Sequence, residues 1–449
     1  MFVLNHNSIV FNQVRKFKVL TLLLIFFLIR IIVAYLFGSK EILSIGDTYV
    51  YNNYALTILN KSDWLVNPDF SGHYREPVYP IFLAIIYLIF GLENVYAVYF
   101  FQSILSTLTI YYIYKLSVYT VGRKYSILVL LWSGIYFFYI WYNTLLLKET
   151  LVFFLLIFSF YSLWIFLNNN KNNMLPWKFI IAFSILIHTD ARYLFYIPFI
   201  SILFIVYTSF YTGIKKYIIT LILILISMTP WIIRNYIAYD RFILINIRTV
   251  ERLTSDKLDY RLKKFGVINW VWKHHPVRLV YPDEKERKLI KQGYNPNNKS
   301  LEELNIIKNN IYPDSTYIAR KIYWLKEMWR PARFKADYYP FPDARFQGRW
   351  SFRHNVLGIL CYGILLPFMF FGVYYLIQQK NRVWIFLSFP IIIQTLLHIL
   401  QFGRNRYRIP IDAFIIILSV YAMYYSYEII KNKLFENRKT KKTYYQPQS

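Results

Sequence analysis

The feature that most constrains this chain is a series of apolar runs of about 20 residues with almost no charge inside them, the length a helix needs to cross a bilayer core. A chain with many such runs folds as an all-α polytopic membrane protein. The composition agrees: 57% of the 449 residues are hydrophobic, 21% aromatic and 17% charged, which excludes disordered, collagen-like and disulfide-framework chains. The one cysteine, Cys361, lies in an apolar run and has no disulfide or metal partner, so helix packing alone must hold the fold.

The formal net charge of +28 fixes orientation. Arg15, Lys16 and Lys18 precede the first run, 19–38, and by the positive-inside rule stay in the cytoplasm. That run is too long for a removable signal peptide and lacks a small-residue cleavage site. Residues 78–91 are too short for a full span and are expected at the outer interface. The remaining spans are then expected at 95–119, 125–146, 150–167, 179–187, 193–211, 217–237, 356–377, 383–402 and 409–430. This arrangement puts Arg123 with Lys124, Lys171 with Lys178, Lys215 with Lys216, and Lys380 with Arg382 on the inner side. The expected protein is a bundle of about ten transmembrane helices in the plasma membrane, with both termini cytoplasmic. A cytoplasmic N-terminus (1–18) leads into a transmembrane module (19–237) that includes an outer loop (39–94). An extracytoplasmic domain (238–353), three C-terminal helices (354–431) and a basic tail (432–449) follow. Two amphipathic helices, 301–310 and 316–329, are expected in the outer domain.

Once the inner basic loops are assigned to orientation, the remaining charges gather at the outer ends of helices: Asp47, His73, Arg75, Glu76, Lys148, Glu149, Asp190, Arg192, Arg234, Arg404, Arg406 and Arg408. Charged groups at membrane depth are costly, so they face a cavity or pair with one another. Their one-sidedness points to an outer cavity suited to a ligand with an anionic phosphate and a group to be activated. Each residue also has a plainer use. Asp47 can cap the helix that follows it, Arg75 and Glu76 can form a local ion pair, His73 can be a solvated loop residue, and the three arginines near 406 can anchor in headgroups. No glycine-rich phosphate loop, nucleophile elbow or zinc motif competes, and with no folded basic face nucleic acid is not an expected partner.

Several motifs occur in a telling order. They are Gly46-Asp47 opening a helix, Arg75-Glu76-Pro77-Val78-Tyr79-Pro80, Phe90-Gly91, Gln102, Lys148-Glu149-Thr150-Leu151, Asp190-Ala191-Arg192, Pro230-Trp231-Ile232-Ile233-Arg234-Asn235 and Arg406-Tyr407-Arg408-Ile409-Pro410-Ile411. From about Gly46 to Pro410 the chain resembles the GT-C superfamily of lipid-linked-sugar glycosyltransferases, nearest the bacterial relatives of the protein O-mannosyltransferases and of the aminoarabinose transferase of lipid A. The resemblance implies an inverting transfer of a sugar from a polyprenyl-phosphate-linked donor to an envelope lipid, glycan or protein acceptor at the outer face. It implies Asp47 as general base, Arg404 and Arg406 on the donor phosphate with Arg192 and Arg234 as helpers, and Glu149 and Glu76 positioning acceptor or sugar. Arg75, His73, Lys148, Asp190 and Arg408 are expected beside them. The oligosaccharyl branch of the superfamily holds a divalent metal on several carboxylates. This sequence has no paired acidic motif at Glu149, so no metal or other cofactor is expected to be required.

Two other readings stay open, a polymerase or ligase that moves whole lipid-linked glycans and a lipid or sugar transporter. The orientation is testable in a Cys361→Ser background. Lys216→Cys is expected to react with a membrane-impermeant thiol reagent only after the membrane is opened, and Asn297→Cys to react on intact cells.

Overall fold

The computed structural model describes residues 3–38, 40, 43, 46–60, 75–168, 175–239, 242–246, 322, 325–326, 328–331, 356–400 and 405–444. Every regular element among them is helical. His73, Arg404, the expected helix 301–310 and nearly all of 238–353 lie outside the described residues, and those described within 316–329 are helical. In chain order the helices are α1 (Val3–Phe37), α2 (Gly46–Asn60), α3 (Val78–Phe90), α4 (Val95–Thr120), α5 (Arg123–Ile135), α6 (Phe137–Tyr142) and α7 (Glu149–Leu167). Then come α8 (Trp177–Thr189), a 3-10 helix (Ala191–Tyr196), α9 (Ile197–Tyr207) and α10 (Phe210–Tyr239). The C-terminal part has a π-helical turn (Ile359–Gly363), α11 (Leu365–Gln378), α12 (Val383–Leu400), a helical turn (Asn405–Arg408), a 3-10 turn (Ile409–Ile411) and α13 (Asp412–Tyr444).

Six helices are long and apolar enough to cross a membrane: Phe17–Phe37, Glu149–Leu167, Phe210–Ala238, Val356–Gln378, Val383–Leu400 and Arg406–Leu434. Val78–Phe90, Trp177–Thr189 and Ala191–Tyr207 are apolar but shorter. By length and composition the described residues therefore do not reach the expected count of about ten. Buried helices explain part of the gap. The 26-residue α4 has ample length, but it carries Gln102, Ser103, Ser106 and Thr109 among its buried residues, which lowers its hydropathy. The core lies where α4 and α7 meet α5 and α13, and α11 packs along α13. There a Cβ added at Gly372 would lie 2.3 Å from the Leu418 carbonyl oxygen, so only glycine admits the approach.

The clearest departure from expectation is residues 125–146, which do not form one span. Helix α5 ends at Ile135, Tyr136 is extended (φ −61°, ψ 112°), and α6 runs only to Tyr142 before an irregular stretch leads to Lys148. Non-helical backbone is tolerated at membrane depth only where protein surrounds it and satisfies its polar groups. Here buried side chains do so. The fully buried Arg30 of α1 donates to the Gly134 carbonyl at 3.0 Å and to Ser106 Oγ at 2.8 Å. A Cβ at Gly134 would come 2.2 Å from the Phe26 ring, so glycine is what lets α1 close on the break. Gln102 Nε2 donates to the carbonyls of Asn143 (3.1 Å) and Leu145 (3.0 Å), while its Oε1 accepts from Tyr79 Oη (2.9 Å). Asn143 Nδ2 donates to Ser103 Oγ at 2.8 Å, and Thr150 Oγ1 donates to the Tyr142 carbonyl at 3.3 Å.

Gln102 thus joins α3, α4 and the irregular stretch through one buried amide. Gln102→Leu leaves the Asn143 carbonyl and the Tyr79 hydroxyl without this partner and the Leu145 carbonyl with the Leu147 amide alone, and a buried polar group so orphaned costs about 1–3 kcal/mol. The variant is expected to unfold in detergent at a clearly lower temperature than wild type. An unchanged melting curve would contradict this account of the break.

Candidate active site

Five segments, each at the end of a helix, bring the outer charges together. Asp47 stands in the first turn of α2, where the helix dipole favours a carboxylate. Arg75 and Glu76 lead into α3. Lys148 and Glu149 begin α7, and Asp190 with Arg192 turns α8 into the 3-10 helix. Arg406 projects from the turn before α13.

These residues form two adjoining ion networks. In the first, Asp47 pairs with Arg75 through Oδ1 and with Arg406 Nη1 through Oδ2 at 3.1 Å. The Nε of the same Arg406 donates to Glu149 Oε1. The two carboxylates differ in access: the side chain of Asp47 is 29% exposed and that of Glu149 is 4%. The second oxygen of Glu149, Oε2, is buried without a hydrogen-bond partner. In the second network, Lys148 Nζ lies 2.9 Å from Glu76 Oε2 and 3.4 Å from Asp190 Oδ2. Arg192 grips Asp190 with both Nε and Nη2. Glu76 Oε1 also accepts from the Ala191 amide at 3.2 Å. The Arg192 guanidinium lies over the Tyr407 ring at 3.9 Å, which ties this network to the segment that carries Arg406.

Burial alone would push the Asp190 carboxyl up, but the Arg192 guanidinium and the Lys148 ammonium hold it well below the usual carboxylate range. Burial likewise draws the Lys148 ammonium down, and Asp190 with Glu76 reverses this and leaves it raised. Among the described residues the two networks set four cations against four carboxylates, assembled from positions far apart in sequence.

Of the residues picked out from the sequence, Asp47, Arg75, Glu76, Lys148, Glu149, Asp190, Arg192 and Arg406 come together. Arg408 does not join them. Residues two apart on a helical turn point to different faces, and Arg408 pairs with Asp412 (Nε to Oδ1, 3.0 Å), both side chains being fully buried. It also donates to the carbonyls of Met328 (3.4 Å) and Arg330 (3.2 Å), while Tyr136 Oη donates to Asp412 Oδ2 at 2.6 Å. Arg408 therefore braces the segment around 328–330 and the break after α5. Arg234 lies over the Trp231 ring (4.9 Å) and donates to Asn235 Oδ1 at 3.0 Å. A residue the sequence did not single out is Gln394 of α12, which accepts from Tyr196 Oη (2.7 Å) and donates to the Tyr407 carbonyl (2.8 Å), fixing the backbone beside Arg406. Only its amide within an apolar helix hinted at such a role.

No group of three His, Cys, Asp or Glu side chains converges among the described residues. Asp47 and Glu149 are bridged by the Arg406 guanidinium.

No family model matches the chain. No curated protein matches it either. Solved structures do. The apo form of the oligosaccharyltransferase of Archaeoglobus fulgidus superposes with a TM-score of 0.54 at 14% identity, over 95% of this chain and 52% of that one. The same enzyme, AglB, in complex with an inhibitory peptide and a dolichol-phosphate gives 0.54 at 14% identity, over 97% and 53%. Its form tethered to an acceptor peptide containing the NVT sequon gives 0.55 at 14% identity, over 94% and 51%. The chain thus spans about half the length of the structures it matches, and it shares the helical fold of the part it covers.

The second network has a pH signature. A carboxyl whose folded pKa is depressed adds stability that is complete above the ordinary value of about 3.9 and is lost only as pH falls through the folded value. Asp190 should therefore cost the protein no stability between about pH 8 and pH 5. Asp190→Asn leaves Arg192 and Lys148 short of a buried counter-ion, and should lower the unfolding free energy across that range by about 3 kcal/mol. Denaturant titration in detergent measures both effects.

Proposed function

We propose that this protein is an integral membrane glycosyltransferase that moves a sugar from a polyprenyl-phosphate-linked donor to an envelope lipid, glycan or protein acceptor at the outer membrane face. The observation that carries the reading is Asp47, a partly exposed carboxylate at a helix N-terminus that shares Arg406 with the buried Glu149. The GT-C fold supports the same class of chemistry.

In this reading Asp47 takes the proton of an acceptor hydroxyl as its oxygen attacks the anomeric carbon. The bond from that carbon to the phosphate oxygen breaks with inversion, and its electron pair stays on the leaving polyprenyl phosphate. Arg406, helped by Arg192 and with Arg404 and Arg234 from the same outer side, holds that phosphate and stabilises the charge it gains. Glu149 Oε2, buried without a partner, suits a sugar hydroxyl as donor, since accepting a hydrogen bond there would remove a desolvation cost. Arg75, Glu76, Lys148 and Asp190 keep the charged segments in register. His73 is a further substrate-positioning residue in this reading, and Arg408 orients Arg406 through their shared turn.

The likeness to an oligosaccharyltransferase favours one second reading, in which the transferred unit is a whole lipid-linked glycan. Donor identity separates the two. Purified protein in lipid nanodiscs is expected to transfer labelled sugar from a polyprenyl-monophosphate donor to extracted envelope acceptors, and Asp47→Asn to lose at least about 100-fold in rate, the contribution of a general base. Turnover only with oligosaccharide donors would favour the second reading. Full activity of Asp47→Asn would overturn the assignment of the base.

A further inference from the structure

The same contact that brings Asp47 into the site also keeps it from working as a base. Both of its carboxylate oxygens are engaged by cations, Oδ1 by Arg75 and Oδ2 by Arg406. A carboxylate held between two guanidinium groups is a poor proton acceptor, because protonation would forfeit both pairs. An anionic donor meets a matching difficulty. Within the two networks of described residues four cations already face four carboxylates, so the phosphate gains one of these four cations only if it is released.

Both difficulties end in one exchange. Arg406 is held at two points of unequal permanence: its Nε by the buried Glu149 and its Nη1 by the exposed Asp47. Solvent screens the second pair and spares the first, so the Asp47 contact is the one that an incoming anion displaces. Building on the functional reading above, we infer that Arg406 passes from Asp47 to the donor phosphate when donor binds, with Glu149 as the pivot that keeps its Nε in place. Glu149 is then a positioning residue as well as a hydroxyl acceptor, and Asp47 is released as base only after donor has bound. The order of events is fixed, donor before acceptor. The arrangement also guards the base, since in the absence of donor Asp47 does not activate water or a stray hydroxyl beside the membrane.

The test is binding of radiolabelled polyprenyl monophosphate to purified protein in nanodiscs, read as a dissociation constant. If Asp47 competes with the phosphate for Arg406, Asp47→Asn abolishes turnover yet tightens binding, by about two- to fivefold for a pair of this exposure. Asp47→Ala checks the same direction should the asparagine variant fold poorly. Glu93→Gln removes a carboxylate that belongs to neither network and accepts from Asn52 instead, and is expected to change binding by less than about twofold. Unchanged or weaker binding by both Asp47 variants overturns the exchange. Equal tightening by Glu93→Gln overturns it too, because the effect would then be the general field and not competition for one guanidinium. No binding by wild type overturns the functional reading itself, and the exchange with it.

Discussion

Everything in the site depends on one interruption in a buried helix. After Gly134 the chain leaves the helical path inside an apolar bundle, where an unpaired carbonyl costs a few kcal/mol and no water is at hand to relieve it. Arg30, Gln102, Ser106 and Thr150 supply the missing partners from α1, α4 and α7. In exchange for that polar scaffold, the stretch after α6 delivers Lys148 and Glu149 to the same end of the bundle as Asp47. The scaffold is tied to the rest by Tyr79 on one side and by Tyr136, Asp412 and Arg408 on the other.

The charges at that end are arranged in proportion. Each carboxylate that a buried environment would neutralise has a guanidinium or ammonium against it, which is the condition for keeping charge at membrane depth. Asp190 and Arg192 illustrate the rigid part, a two-point grip with almost no exposure. Asp47 and Arg406 illustrate the adjustable part, more exposed and shared among several partners. A site built this way is stable without ligand and still has one cation it can give up.

Much of this was legible in the sequence, for a physical reason. Charge in an apolar chain stands out, and eight of the residues singled out at helix ends do meet. What was hidden falls into two kinds. Arg30 and Asp412 lie inside apolar stretches, where length and hydropathy read straight through them, and their partners sit far along the chain. The break in 125–146 was hidden because Gly134 and the aromatic run after it keep the hydropathy of a continuous span. The arginines at 404, 406 and 408 looked like one cluster, but helical geometry turns Arg408 inward to Asp412 while Arg406 faces Asp47 and Glu149.

The most direct measurement is a cryo-electron microscopy structure of the protein in nanodiscs with polyprenyl monophosphate bound. The account predicts the phosphate within hydrogen-bonding distance of Arg406, the contact between Arg406 and Glu149 kept, and Asp47 separated from Arg406. Phosphate bound elsewhere, with Asp47 still paired to Arg406, would contradict it.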